Sequence, residues 1–500
     1  MIAFLRLVLV FWFLAACLLQ GQPNRGTRID VQTAGIPSDG RENASPALSR
    51  LIDANPSAAF YFGPGTYRLH NVGVDHPGLQ LRHFSGSIVM AKGASFVCDT
   101  EDTQAGQCVW ILDARRATFE NLSITYLKPN ILPLERKAAT ANALLVQSSD
   151  NVRFVNTTVL GSTGSGIWNT DSLGLRFEGV TRISDTTADG LHFENTGPAM
   201  VENLVTNNTG DDAVGATNIA SKNLNCGLTI QKAMIQNSRS RGIAVAGACN
   251  AKFFEITIKG TANSAIAAVE DRVIQSRIST HVSFQNVVVD GAGTLQSAIH
   301  GNGYCIDISH STDVTVSNVT CNGSPDDGVF VYDGARSILV EKVILKHPGN
   351  NGFQTANANN VQFLDDTVSG AVNNGFDIES SSAVTVRRCQ SIDSGGYGFF
   401  HSGSANVSET DLTSQNASMT AKHGRAWWAE NMSGSISAES LTVVDDRAKA
   451  SGYIVGDDNL KGNALVVKNL TFRIAHGKGS IDTKGKTATY SQPKFPAHSN

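Results

Sequence analysis

Charge is scarce in this chain: Asp, Glu, Lys and Arg make up 17% of 500 residues, and the formal balance of −4 contains no basic stripe. Nucleic acid is thereby excluded as a partner, because it is bound through clustered Lys and Arg. The chain also lacks a phosphate-cradling glycine loop, any C-x-x-C spacing and a G-x-S-x-G elbow, which removes nucleotide, zinc and serine-hydrolase chemistry in their usual sequence forms. Its strand-like segments carry no 3.6-residue apolar stripe. What is abundant is glycine, 47 residues, beside 41% hydrophobic content. That pairing describes a turn-rich globular chain and not a disordered one.

The chain repeats itself. A small residue followed by an apolar one recurs at Gly166-Ile167, Gly190-Leu191, Ala213-Val214, Gly242-Ile243, Ala265-Ile266, Cys305-Ile306, Gly328-Val329, Gly352-Phe353, Gly375-Phe376 and Gly398-Phe399, and most steps are 23 or 24 residues. Between these points lie short segments such as NVRFVNTTVL, FFEITI, HVSFQNVVV and SILVEKVIL, rich in Val, Ile, Thr and Phe with period-two alternation. A period in the twenties built from strands and Asn/Gly/Ser/Asp turns is a solenoid. The Leu-x-x-Leu-x-Leu frame of a leucine-rich repeat is absent. The sequence therefore predicts an all-β, right-handed parallel β-helix with coils of about 23 residues, the hand following from the strong preference of parallel crossovers.

In such a helix, residues one period apart stack about 4.8 Å apart. Ile167, Leu191, Val214, Ile243, Ile266, Ile306, Val329, Phe353, Phe376 and Phe399 form the expected inward ladder. Alternation turns Trp168, His192, Asp307 and Asp377 outward on the same face. Asn351 and Asn374, also one period apart, predict a ladder of amides at a turn.

The same register gathers carboxylates. Asp189 sits one period before Asp212, and Asp211 precedes Asp212 directly. Like charges this close cannot all ionise freely, so one carboxyl is expected to titrate high enough to serve as an acid. Glycoside hydrolysis uses that arrangement: one carboxylic acid protonates the leaving oxygen while a second carboxylate activates water or attacks the sugar. His192, Glu194, Arg241 and Trp168 lie on the same or adjoining coils and are the candidate substrate contacts, Arg241 alternatively pairing with Asp212 and Trp168 offering an apolar platform for a sugar ring. A turn made by Asp-Gly and Gly-Asp-Asp is the competing account of the three Asp residues. Asp326-Asp327-Gly328 repeats the theme without evident partners one coil earlier. Glu270-Asp271-Arg272 opens a stretch in which the coil spacing grows to 40 residues, an insertion able to wall a groove.

At the N-terminus Arg6 precedes LVLVFWFLAACLL, an apolar run of signal-peptide length and short for a membrane span. Residues 1–21 are expected to direct export, to the periplasm, the outer membrane or the exterior. Leu14-Ala15-Ala16-Cys17 resembles a bacterial lipobox, which would anchor the mature chain to a membrane through Cys17; ordinary signal cleavage near Gly21 is the competing reading. Residues 22–70 form the cap and entry, with Ser45 as N-cap of a short helix opened by Pro46, Leu48 and Leu51. Residues 71–475 form the helix and 476–500 a poorly ordered tail. In an oxidising compartment Cys98 with Cys108, Cys226 with Cys249, and Cys305 with Cys321 are candidate pairs. A stacked thiol pair in the core accounts equally for Cys226 and Cys249.

The entry segment resembles that of the pectate-lyase-like superfamily, through Ser38-Asp39-Gly40 and Gly63-Pro64-Gly65-Thr66-Tyr67. Ala188-Asp189-Gly190 followed one coil later by Gly210-Asp211-Asp212 is similar to the motif pair of inverting polygalacturonases; where that family has His-Gly, this chain has Arg241-Gly242. The run Ala188-Asp189-Gly190-Leu191-His192-Phe193, then Asp211-Asp212-Ala213, resembles the motifs of β-helical α-1,3-galactosidases. These resemblances imply an inverting glycosidase acting on a carbohydrate without a cofactor, Asp211 or Asp212 giving the proton and Asp189 with the remaining partner holding water. Two alternatives use the same residues. A polysaccharide lyase would bind Ca²⁺ at Asp189, Asp211 and Asp212 with Arg241 as base, and a glycan-binding solenoid would use the face without turnover.

Overall fold

The computed structural model describes residues 27–70, 76–99, 106–127, 141–295, 301–418 and 424–445, with 447, 453–458, 460, 464–474, 479–483 and 488–490 beyond them. The leader, with Cys17, lies outside the described residues. Strands stack in parallel into a 25-stranded and a 16-stranded sheet, and the coils wind between the two. The architecture is the expected parallel β-helix. Among the described residues no helix is long and apolar enough to cross a membrane.

Registers follow the repeat. Ile167 pairs with Leu191, Leu191 with Val214, Val214 with Ile243 and Ile243 with Ile266. The column continues through Ile306, Val329, Phe353, Phe376 and Phe399, all ten side chains being fully buried. Small residues precede these positions because the chain turns a tight inner corner: a Cβ on Gly352 would stand 2.4 Å from the carbonyl oxygen of Gly375. At the aromatic end, Phe353 and Phe376 stack at 4.6 Å between centroids and Phe376 and Phe399 at 4.9 Å. Phe376→Ala removes the middle ring of that stack and is expected to cost about 3–5 kcal/mol, read as a lowered denaturation midpoint.

The turn entering the 16-stranded sheet is closed by a second ladder. Asn351 Oδ1 accepts the backbone N–H of Asn374 (3.0 Å), and Asn374 Oδ1 accepts that of Tyr397 (2.9 Å). The amides thus bond to backbone one coil on, where the sequence suggested amide to amide. Asp327 occupies the same place, accepting the N–H of Asn351 and the amide of Asn350 at 2.8 Å each, and Asp326 accepts the N–H of Gly303 (2.7 Å). The repeated Asp-Asp motif at 326–327 is therefore turn chemistry. Further out on this face, Asn374 donates to Asp377 Oδ2 at 2.9 Å.

Burial pushes the Asp377 carboxyl up to about 7, with Glu379 adding to it and the Asn374 bond opposing. The native state therefore holds this proton at pH values where the unfolded chain has released it. The group's stabilising contribution is complete below the ordinary carboxyl range and lost as pH rises through about 7. Asp377→Asn cannot lose that proton. Relative to wild type the variant is expected to gain stability between pH 4 and 8, measured as the difference in melting temperature across that window.

At the N-terminal end, the helix Ser45–Asp53 buries Leu48 and Ile52 over the first coils. Ser45 is not its N-cap. Ala44 holds that position, Asn43 Oδ1 accepts the Ser45 N–H (3.0 Å), and the Ser45 hydroxyl is turned to the N–H of His70. Disulfides join Cys98 to Cys108, Cys226 to Cys249 and Cys305 to Cys321, while Cys389 is buried and free. Stacking continues into the segment assigned to a tail: Gly479–Thr483 pairs with Tyr453–Asp458 and Ala488–Tyr490 with Leu465–Lys468. Both strands are continuations of the two sheets.

Candidate active site

The 16-stranded sheet presents one outward column that runs Trp168, His192, Gly215, Ala244, Ala267, Asp307 and Phe330. Its middle is made of the three smallest side chains. Four coil steps separate His192 from Asp307, roughly 19 Å, and Gly215, Ala244 and Ala267 between them are buried. The turn that feeds this sheet supplies the carboxylates.

Asp189, Asp211 and Asp212 are buried, and each offers an oxygen within 4.8 Å of the others. Two of them also belong to the turn ladder. Asp189 Oδ1 accepts the N–H of Asp212 (3.1 Å), and Asp212 Oδ1 accepts the N–H of Arg241 (2.9 Å). Side chains add to these contacts: His192 Nδ1–H donates to Asp189 Oδ2 at 2.7 Å, and the Arg241 guanidinium bonds both oxygens of Asp212 at 3.0 Å. Turn chemistry and site geometry are thus the same contacts, and Asp211 is the member of the trio that lines the adjoining cavity.

His192 points outward from its strand yet is only 7% exposed, where the sequence suggested an open position. The cause is its neighbours. Trp168 stacks on one face of the imidazole at 3.9 Å and 5°, and Gly215 on the next coil leaves the other face room, since a Cβ there would lie 2.3 Å from Nδ1. With Nε2 2.9 Å from Thr217 Oγ1, both ring nitrogens are engaged and His192 serves to orient Asp189. Trp168 is half-buried beneath this stack. Glu194 is not brought to the trio; Lys222 Nζ bonds it at 2.5 Å and reaches Asp171 at 3.3 Å. Arg241 makes the ion pair with Asp212, which is the alternative the sequence left open. That carboxylate is the largest cause of a guanidinium pKa pushed above its ordinary value, Asp211 and Asp307 adding to it against burial.

Beside the trio is an open cavity of about 250 Å³ lined by Asp211, Ser240, Arg241, Asn263, Ser264 and Asp307, and bordered by Gly301 and Asn302 of the 40-residue coil. Asp307 is the member that sequence reasoning placed outward without assigning to the site. Its carboxyl is pushed up to about 6 by burial, the positive charge of Arg241 and the Tyr332 and Ser264 hydroxyls opposing that rise. The available signal was its register: it occupies the His192 column. Gly215 and Thr217 were likewise one period from assigned residues.

Comparison with known proteins bears on the fold. A family model described as a right-handed β-helix region matches residues 81–280 and 279–435. No curated protein matches the chain. Among solved structures, the catalytic domain of a GH87 alpha-1,3-glucanase in complex with nigerose is 15% identical at TM-score 0.51, covering 75% of this chain and 66% of that one. A Yersinia enterocolitica family 28 exopolygalacturonase is 12% identical at TM-score 0.47, over 74% and 76% of the two chains. Tailspike protein 3 of bacteriophage CBA120 is 10% identical at TM-score 0.47, over 85% and 63%. The chain spans just under two thirds of the glucanase domain, and at these identities the likeness is one of architecture.

Proposed function

The chain belongs to the right-handed β-helix family, and from that premise we propose that it is an exported, carbohydrate-active enzyme that hydrolyses glycosidic bonds with inversion at Asp189, Asp211 and Asp212. The observation that carries the reading is the trio itself: three buried carboxyl groups with oxygens within 4.8 Å, one of them opening on a cavity. Asp211 protonates the leaving oxygen. Asp189 and Asp212 hold the attacking water. Hydrogen bonds from His192, Arg241 and the turn ladder fix the orientation of both carboxylates. Inversion is supported by the likeness of the Asp189 and Asp211-Asp212 motifs to those of inverting β-helical glycosidases and not by carboxyl separation, since oxygens within 4.8 Å are closer than the roughly 6.5–9.5 Å usual for inverting pairs. Three disulfides support folding in an oxidising compartment.

The trio also has the ligand geometry of a hard cation, which favours one second reading, a Ca²⁺-dependent lyase. In it Asp189, Asp211 and Asp212 would hold the ion and Arg241 would remove a proton. Arg241 is poorly suited to that task, since its pairing with Asp212 strengthens its hold on its own proton. Sugar release from a panel of neutral and acidic glycans, run with and without chelator beside ultraviolet absorbance, separates the two. Reducing ends that persist under chelation support the hydrolase, and an unsaturated product lost on chelation supports the lyase.

A further inference from the structure

The outer face of the 25-stranded sheet carries an ordered row of exposed apolar side chains. One outward column there runs Val205, Met234, Thr257, Val288, Thr320 and Ile344, paired coil to coil. Met234, Val288 and Ile344 are 44%, 51% and 43% exposed, while the threonines between them are half-buried. Apolar residues scattered singly over a surface need no explanation. These three instead recur at every second coil, roughly 9.6 Å apart, in a column without a charged member from Val205 to Ile344. The face is a row of apolar ridges separated by threonine notches.

Such a row complements its own reverse. Take a second copy turned about a two-fold axis that lies along the strands, between the coils of Thr257 and Val288: Val288 then meets the partner's Thr257, and Met234 meets the partner's Thr320. Each ridge enters a notch, as in facing sheets whose side chains interdigitate. The neighbouring column, Gln236, Lys259, Asp290 and Asn322 on the same coils, checks that register independently. The same axis brings Lys259 onto the partner's Asp290, Asp290 onto the partner's Lys259, and Gln236 onto the partner's Asn322. Moving the axis half a coil either way sets Asp290 against Asp290 or Lys259 against Lys259, and also ridge against ridge. Moving it one whole coil toward Ile344 sets Lys259 against the partner's Lys346, which follows Asn322 in the column. Shape and charge therefore select one arrangement.

We propose that this face is the interface of an antiparallel homodimer, two copies of the chain related by that axis, with Val288 near its centre and the reciprocal Lys259–Asp290 contacts fixing its register. A contact of this kind uses one patch twice and closes on itself. The inference is independent of the glycosidase reading, because the trio lies at the turn that feeds the other sheet.

Sedimentation equilibrium of the mature protein across the micromolar range tests it. Wild type is expected at twice the chain mass. Val288→Lys, Lys259→Asp and Asp290→Lys should each weaken self-association by about tenfold or more. Circular dichroism should be unchanged in all three, since each side chain is exposed. The discriminating arm mixes Lys259→Asp with Asp290→Lys in equal amounts. Across the axis of the mixed pair every lysine again meets an aspartate, so the mixture should recover the dimer that neither variant forms alone. Pairing of Lys259 with Asp290 inside one chain cannot produce that recovery. A wild type that stays monomeric throughout, or a dimer that keeps its affinity in Val288→Lys, overturns the interface. A mixture that associates no better than its components overturns the axis and the proposal with it.

Discussion

Asp211→Asn is expected to lower kcat on the cleaved glycan by roughly 10²–10⁴-fold, the range over which a positioned proton donor acts, with the melting temperature nearly unchanged. Asparagine keeps the size and most of the polarity of the side chain but has no acidic proton to give. The contrast with its two neighbours makes the result diagnostic. Asp189 and Asp212 each accept a backbone N–H from the next coil, and Asp212 also neutralises Arg241. Asp212→Ala leaves a largely buried guanidinium without its partner, and removing one member of such a pair costs about 3–5 kcal/mol. Asp212→Ala should therefore lose stability and turnover together, whereas Asp211→Asn, which keeps a polar side chain of the same shape, should lose mainly turnover. Steady-state kinetics paired with thermal melts decide it; an Asp211→Asn enzyme with wild-type kcat removes this residue from the chemistry.

The second large effect falls on a residue with no side chain. Gly215→Ala places a Cβ 2.3 Å from His192 Nδ1, the atom that donates to Asp189. The ring has nowhere to retreat, because Trp168 lies 3.9 Å behind it. It must tilt, and Asp189 loses its orienting contact. Misplacement on this scale is expected to reduce kcat/KM by about 10²-fold, with a stability loss of about 1–3 kcal/mol from overpacking. Trp168→Ala opens space behind the ring. The Trp168→Ala, Gly215→Ala double variant should be more active than Gly215→Ala alone. If the double variant is weaker than either single change, the steric account of Gly215 is wrong.

Architecture was readable because one number, the period, sets it. Once Gly166-Ile167 is aligned with Gly190-Leu191 and their successors, every register in the inward column follows, and the structure pairs those residues in that order. The proximity of Asp189 to Asp212 is legible for the same reason. What the period does not carry is how side chains are spent. His192 alternates outward, yet its burial depends on the missing Cβ of Gly215 one coil away. Glu194 is nearby in sequence, but Lys222 arrives from a loop and claims it. Asp307 was visible as an outward residue. Its membership of the cavity depends on the 40-residue coil that brings Gly301 and Asn302 against it, where the repeat is interrupted. The N-cap of the helix Ser45–Asp53 lies one residue earlier, at Ala44, and Asn43 supplies a side-chain acceptor where Ser45 was expected to.

One account joins these observations: a solenoid turn whose ladder of acceptors, at the coils of Asp189 and Asp212, has become the water-holding half of a hydrolytic site, with Asp211 facing the substrate. Its central claim is inversion at this trio. The measurement that tests it most directly is a proton NMR time course of the first product anomer formed by the wild-type enzyme in excess chelator. The account predicts a hydrolysed sugar that first appears with the anomeric configuration opposite to the substrate's and then mutarotates. A product of retained configuration, or an unsaturated one formed only when calcium is restored, would contradict it.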